Sequence, residues 1–146
     1  MVAPEDKKLP EAQLVIDAWC VDAACSGNPG QMEYRGVELS TGREIFRFGP
    51  VFGTNNIGEF LAIVHALALQ QQMGISKTIY SDSMNAITWV RKKHCKTTLA
   101  RNEQTERLHL IIARAENWLR MHSVTTPILK WETSEWGEIP ADFGRK

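Results

Sequence analysis

The sequence predicts an α/β domain built on a five-stranded mixed sheet, an antiparallel meander followed by parallel strands, with helices on both faces. Three observations support this. The first fifty residues hold apolar, partly β-branched runs separated by glycine-, asparagine- and proline-rich turns. Apolar residues then recur at helical spacing from Ile57 to Ala68 and again from Leu108 to Leu119. Between and after these stretches lie the short apolar runs at 78–80 and 127–131. Strands joined by tight turns pair antiparallel, and strands joined through helices pair in parallel.

The elements follow in order. Residues 1–11 read as a charged, flexible lead-in flanked by prolines, and 12–146 as the domain. Leu14–Cys25 reads as a buried strand that stops at the turn Gly27-Asn28-Pro29-Gly30. Met32–Leu39 and Glu44–Phe48 flank Ser40-Thr41-Gly42 as a hairpin. Asn56 is the expected N-cap of a helix carrying Ile57, Phe60, Leu61, Val64 and Leu67, and Gly74 is its expected stop. Thr78-Ile79-Tyr80 reads as a strand, and Ser81-Asp82-Ser83 opens a helix through Ala86, Ile87 and Val90. A longer helix is expected from about Asn102, with Leu108, Ile111, Ile112, Ala115 and Leu119 on one face. Pro127–Trp131 reads as the last strand, and Ile139–Phe143 as a short terminal helix.

With 146 residues, 43% hydrophobic and 23% charged, the chain suits one ordered globular domain. No apolar run approaches the ~20 residues that span a bilayer, and the first residues lack the apolar stretch of a secretory signal. The expectation is a cytoplasmic monomer with no membrane contact and no obligate protein partner. Cys20, Cys25 and Cys95 form no C-x-x-C pair and read as free thiols. His65, His94, His109 and His122 show no zinc-ligand pattern, and no phosphate-binding P-loop or G-x-S-x-G elbow is present. Net charge is zero, which disfavours a purely electrostatic grip on nucleic acid. Arg91, Lys92, Lys93, Lys96 and Arg101 are nonetheless clustered without an intervening acid. That run reads either as a solvated helix end or as a local basic patch.

Four acids sit at the edges of predicted elements: Asp22 near the end of the first strand, Glu59 in a first helical turn, Asp82 between strand and helix, and Asp142 in the terminal helix. Each has a structural alternative. Asn56-x-x-Glu59 resembles a capping box, Asp82 suits a helix cap, Asp22 suits an Asx turn, and Asp142 suits a solvated surface. A divalent metal would make them a unit, because clustered carboxylates repel and hard cations prefer oxygen ligands. Two Mg²⁺ ions can activate a water and stabilise the leaving oxygen of a phosphodiester.

The blocks V-D-A-A-C-S-G-N-P-G, T-N-N-I-G-E-F, Y-S-D-S and W-G-E-I-P-A-D-F-G-R-K resemble the signature segments of type 1 ribonuclease H, in family order, from about residue 14 to the end. The ending is similar to the catalytic domain of a bacterial branch with a glutamate four residues before the last aspartate. The resemblance implies an endonuclease that cuts the RNA strand of RNA/DNA hybrids, leaving 5′-phosphate and 3′-hydroxyl ends. It implies two Mg²⁺ ions, with Mn²⁺ as a substitute, on Asp22, Glu59, Asp82 and Asp142. Asp22 would bridge both ions, Asp142 would serve the ion that activates water, and Glu59 and Asp82 the ion at the leaving oxygen. Glu138, taken as one helical turn from Asp142, would assist metal exchange and product release.

The same resemblance implies the substrate contacts. Backbone groups of Cys25, Ser26, Gly27 and Asn28, together with Glu59, would read the 2′-hydroxyl. Asn28, Asn55 and Asn56 would touch the minor groove or backbone. Thr54, Asn56, Thr97 and Thr133 would take a DNA-strand phosphate, and Trp89 would pack on a deoxyribose. The sequence departs from the pattern in two places. Met84 stands where relatives commonly carry a base-reading glutamine, and no histidine occurs between Trp131 and Asp142. A hybrid-binding module without catalysis and a DNA nuclease with a similar fold are the alternatives; the complete acid set and the GNPG and TNN blocks favour the hybrid nuclease.

Overall fold

A computed structural model describes residues 13–144 of the protein. The expected lead-in, residues 1–11, lies outside the described residues. Five strands form one sheet in the order β3-β2-β1-β4-β5: β1 (Ala18–Gly27), β2 (Gly30–Glu38), β3 (Glu44–Gly53), β4 (Thr78–Ser81) and β5 (Ile128–Lys130). β1 pairs antiparallel with β2, and β2 with β3, while β1–β4 and β4–β5 are parallel. The helices are α1 (Asn55–Met73), α2 (Met84–Lys92), α3 (Glu106–Met121) and the four-residue α4 (Thr133–Trp136). The mixed sheet expected from the linkers is the one observed.

Alternation along β1 divides the interior in two. Trp19, Val21 and Ala23 join the main core with Phe60, Ile63, Leu67, Ile87 and Leu119 from the helices. Ala18 and Cys20 join a smaller core with Val37, Tyr80, Trp131, Ile139 and Ala141. On that second side the cover among the described residues is α4 with the segment after it, where Trp131 donates from Nε1 to the Gly137 carbonyl at 2.8 Å. No helix among the described residues is long and apolar enough to cross a membrane.

Several boundaries differ from expectation, each for a local reason. β1 begins at Ala18 and runs to Gly27, so Asp22 lies mid-strand rather than at its end. β3 continues past Phe48 to Gly53, because its pairing with β2 extends to Gly30↔Gly53. The N-cap of α1 is Thr54, not Asn56: Thr54 has extended backbone and its Oγ1 accepts from the Ile57 N–H at 3.3 Å. The proposed Asn56–Glu59 capping box is therefore absent, and Glu59 falls just beyond the first turn. Gly74 ends α1 as expected, at φ 71°.

α3 starts at Glu106, four residues after the expected Asn102, because Asn102 folds an Asx turn instead. Its Oδ1 accepts from the N–H groups of Gln104 (2.9 Å) and Thr105 (3.2 Å). The terminal helix over Ile139–Phe143 does not form. Pro140 lacks an N–H and disfavours helical backbone at Ile139, and Gly137 and Gly144 have φ of 82° and 72°. Among the described residues the only helix of this region is α4, which ends at Trp136.

Candidate active site

Asp22, in mid-β1, is 5% exposed; Glu59, from α1, is 4% exposed. Asp82 follows β4 and is half-buried. One ligand oxygen from each of these three lies within 4.8 Å of the others. Asp82 is presented by the β4–α2 junction, where Ser83 caps α2 by accepting from the Ala86 N–H at 3.1 Å and Ser81 Oγ accepts from the Ser83 N–H. Glu59 is brought against β1 by its neighbour Gly58. A Cβ at Gly58 would stand 2.8 Å from both Ala23 Cβ and Met32 Sδ, so α1 closes on the sheet only because that position is bare.

Proximity and burial together shift the titration of Asp22 and Glu59. Burial pushes the Asp22 carboxyl up to about 6, and the charges of Asp82 and Asp142 push the same way, against hydrogen bonds from Glu59 and from the Ala23 backbone. Glu59 is raised well above the ordinary carboxylic range, first by burial and then by the Asp22 charge and the hydrogen bond with Asp22. The hydrogen bond between the two side chains lowers Asp22 and raises Glu59, the direction expected of a Glu59 carboxyl that donates to Asp22. Glu59 Oε1 is buried and has no hydrogen-bond partner. An unsatisfied buried oxygen beside two further carboxylates is a donor set suited to a hard cation.

Asp142 lines the same cleft of about 550 Å³, with Asp22, Cys25, Ser26, Asn55, Glu59, Asp82, Ser83 and Phe143. It arrives on the turn after α4, outside the tight trio. Glu138 is exposed and does not line the cleft. Because no helix links 138 to 142, the expected one-turn relation between them is lost.

A second cleft, of about 560 Å³, is lined by Asn28, Thr54, Asn56, Trp89, Lys96 and Thr97, among others. The start of α1 is a shared wall: Asn55 and Glu59 face the first cleft, Thr54 and Asn56 the second. Asn28 Oδ1 accepts from the Asn55 N–H at 3.1 Å, tying the β1–β2 turn to this wall. Trp89 is held edge-on to Phe60 at 6.4 Å. Thr133, expected in this group, opens α4 and does not line the cleft. Gly27 ends β1 at φ 88°, and Met84 is 48% exposed at the start of α2.

Residues outside the site take structural parts. Asp17 is 78% exposed and pairs with Lys77. His65 stacks on Phe46 and hydrogen-bonds Tyr34, His94 pairs with Glu116, and the thiols of Cys20 and Cys95 are pushed up to about 12 by burial. Within the basic run, Arg91 donates to the Ile128 carbonyl, Arg101 pairs with Glu106, and Lys96 alone among the five lines the second cleft. Sequence reasoning missed Arg35, whose side chain reaches the turn carrying Asp142. The available signal was a lone arginine between Tyr34 and Gly36 in the otherwise buried stretch 32–37.

The sequence profile of the RNase H family matches residues 17–132. The chain belongs to the RNase H family. The matched span holds Asp22, Glu59 and Asp82 and stops before the turn that bears Asp142. Membership makes the protein an enzyme of the ribonuclease H class. A relative named ribonuclease H, from Neorickettsia sennetsu, is 29% identical over 109 residues, covering 70% of this chain and 68% of that protein. Two solved RNase H structures share the fold. LC11-RNase H1, isolated from compost, has 17% identity and a TM-score of 0.50 over 81% of this chain and 85% of that one. LC11-RNase H1 in complex with an RNA/DNA hybrid has 16% identity and a TM-score of 0.50 over 81% and 86%.

Proposed function

We propose that this RNase H hydrolyses the RNA strand of RNA/DNA hybrids, using divalent metal held by Asp22, Glu59, Asp82 and Asp142. The observation that carries this is the carboxylate trio of buried Asp22 and Glu59 and half-buried Asp82 with oxygens within 4.8 Å, the raised proton affinities of Asp22 and Glu59, and the unsatisfied Glu59 Oε1. Three acids crowded in this way destabilise the metal-free fold unless a cation neutralises them. Carboxylate oxygens suit Mg²⁺, and Mn²⁺ as its substitute. Bound as a pair, such ions supply Lewis-acid chemistry that generates a hydroxide at neutral pH and stabilises a leaving 3′ oxygen, giving 5′-phosphate and 3′-hydroxyl ends.

The chain's own groups do the rest. Asp22 lies within reach of Glu59 and Asp82 and feels the charge of Asp142, so it would hold metal together with these acids. With its proton affinity raised, Glu59 would have to be deprotonated to hold metal, which would link binding to pH. The end of β1 at Cys25 and Ser26, with Glu59, lines the cleft where a 2′-hydroxyl of the cut strand would be read. Asn28, Asn55 and the bare backbone of Gly27 would guide that strand across the wall made by α1. Thr54, Asn56, Lys96 and Thr97 in the second cleft offer hydroxyl, amide and ammonium donors for a phosphate of the DNA strand, with Trp89 for a deoxyribose. Met84, exposed beside Asp82, offers an apolar surface to the groove. One chain supplies the whole carboxylate set, so this reading needs no partner subunit.

The test is cleavage of an end-labelled RNA strand in an RNA/DNA hybrid, with double-stranded RNA and double-stranded DNA in parallel, in Mg²⁺ and in EDTA. Hydrolysis of the hybrid RNA alone, abolished by EDTA, is expected. Equal cutting of double-stranded DNA, or binding of the hybrid without cleavage, would overturn the reading.

A further inference from the structure

Asp142 stands on a turn, and a turn does not fix a side chain as a helix does. Within this segment its backbone N–H bonds the Ile139 carbonyl (2.9 Å), and its Oδ2 accepts from the Gly144 N–H (3.0 Å). Ile139 and Ala141 are anchored in the smaller core, at 1% and 0% exposure. A further restraint comes from the sheet. Arg35 donates from Nε to the Ala141 carbonyl (2.9 Å) and from an Nη to the Asp142 carbonyl (2.7 Å). These two carbonyls belong to the peptide planes before and after the Asp142 Cα. A planar guanidinium holding both planes restricts φ and ψ of Asp142, and so the direction in which its carboxylate leaves the chain.

The sheet register explains why Arg35 can do this. Arg35 is the direct partner of Asp22 across the β1–β2 pair, so the two side chains leave the same face of the sheet. That is the face covered by the smaller core, where Ile139 and Ala141 pack. The hairpin completes the hold. Glu44 takes an Nη of Arg35 (3.4 Å) and an Nη of Arg47 (3.0 Å), and Arg47 also pairs with Glu33 (3.0 Å). The two guanidinium groups lie 5.0 and 5.1 Å from the centroid of the Phe143 ring, the residue next to Asp142.

We propose that Arg35 is a positioning residue for Asp142, a clasp from β2 that orders the carboxylate where this chain has a turn in place of a regular element. The inference rests on the proposed hydrolytic function, because it gives Asp142 a place in the metal site. Its consequence is specific. Loss of the clasp should slow the chemical step and weaken metal binding through Asp142 alone, and leave the hybrid's grip on the two clefts unchanged.

The experiment compares Arg35→Ala, Arg35→Lys, Asp142→Asn and the double variant Arg35→Ala/Asp142→Asn. Amide exchange of Asp142 and Gly144 is followed by NMR without metal, Mn²⁺ affinity by calorimetry, and kcat and KM on an RNA/DNA hybrid. Arg35→Ala is expected to speed exchange at both amides, to lower kcat on the order of 10- to 100-fold and to weaken Mn²⁺ binding, with KM within about twofold. Arg35→Lys keeps the stem and the charge but not the fork, so it protects the fold while restoring little of kcat. Added to Asp142→Asn, Arg35→Ala should cost nothing further. Full activity of Arg35→Lys, an additive loss in the double variant, or a loss confined to KM would overturn the proposal. If the wild type neither cuts hybrids nor binds Mn²⁺, the hydrolytic reading falls; the exchange measurement, made without metal or substrate, still decides whether Arg35 orders Asp142.

Discussion

Replacing Asp22 by asparagine should make the metal-free protein more stable while removing its activity. Asparagine keeps the shape of the side chain and its ability to accept a hydrogen bond from Glu59, but carries no charge. The magnitude follows from the site. The Asp22 carboxyl titrates at about 6 in the folded protein instead of the ordinary 3.8, chiefly because it is buried. A raised acid binds its proton more tightly in the folded state. It therefore contributes stability below about pH 4 that is lost as pH rises through about 6. Above that, holding the carboxylate ionised costs about 3 kcal/mol. For a domain of this size that corresponds to roughly 6–12 °C in Tm. Thermal unfolding in EDTA at about pH 7.5 is the assay, repeated at about pH 4.5. The Asp22→Asn variant should melt higher at the upper pH and lose most of that advantage at the lower one. Saturating Mg²⁺ should raise the wild type by mass action, about 2.7 kcal/mol at a hundred times Kd, and leave the variant nearly unmoved. A variant that melts lower than wild type in EDTA would show that Asp22 carries a stabilising contact rather than a buried charge. Equal Mg²⁺ stabilisation of both proteins would remove Asp22 from the ligand set.

Three further outcomes test other parts of the site. Asp82→Asn should reduce hydrolysis of the hybrid to background while a gel-shift or anisotropy assay shows binding retained; normal turnover would exclude Asp82 from the reaction. Gly58→Ala should destabilise the fold by roughly 1–3 kcal/mol, read by urea unfolding, and reduce kcat as well, because the added methyl lifts α1 from Ala23 and Met32 and Glu59 moves with it. Lys96→Ala should weaken hybrid binding evenly across sequences and reduce the slope of log K against log salt by about 1, as one lost phosphate contact requires; an unchanged slope would place Lys96 off the substrate.

The alternating and helical periodicities located the elements because burial imposes them wherever a strand or helix meets a core. The errors fell where short-range chemistry decides. Thr54 and Asn56 are both good caps, and only the path of the chain out of β3 selects Thr54. Asn102 could start a helix or an Asx turn, and the contact of Thr105 Oγ1 with the Ala100 carbonyl (2.6 Å) accompanies the turn. At the C-terminus the run Ile139–Phe143 suggested a short helix, but Pro140 disfavours helical backbone at Ile139 and Gly137 and Gly144 take positive φ. The one-turn relation between Glu138 and Asp142 was read from that helix and is absent without it.

By itself the sequence singled out the acids proposed to carry the chemistry. Asp22, Glu59 and Asp82 sit in short blocks whose neighbours, the GNPG turn, the TNN start of α1 and the serines around Asp82, mark where each element begins or ends. Local signals of this kind survive in a one-dimensional string. Only the tertiary structure decided how close these acids come and what holds the fourth. Burial, the hydrogen bond between Asp22 and Glu59, and the approach of α1 over Gly58 depend on residues far apart in the chain. The hold of Arg35 on Asp142 spans more than a hundred positions and exists because sheet pairing sets Arg35 opposite Asp22. Distance and dielectric are properties of packing, and packing is where the acids become a site.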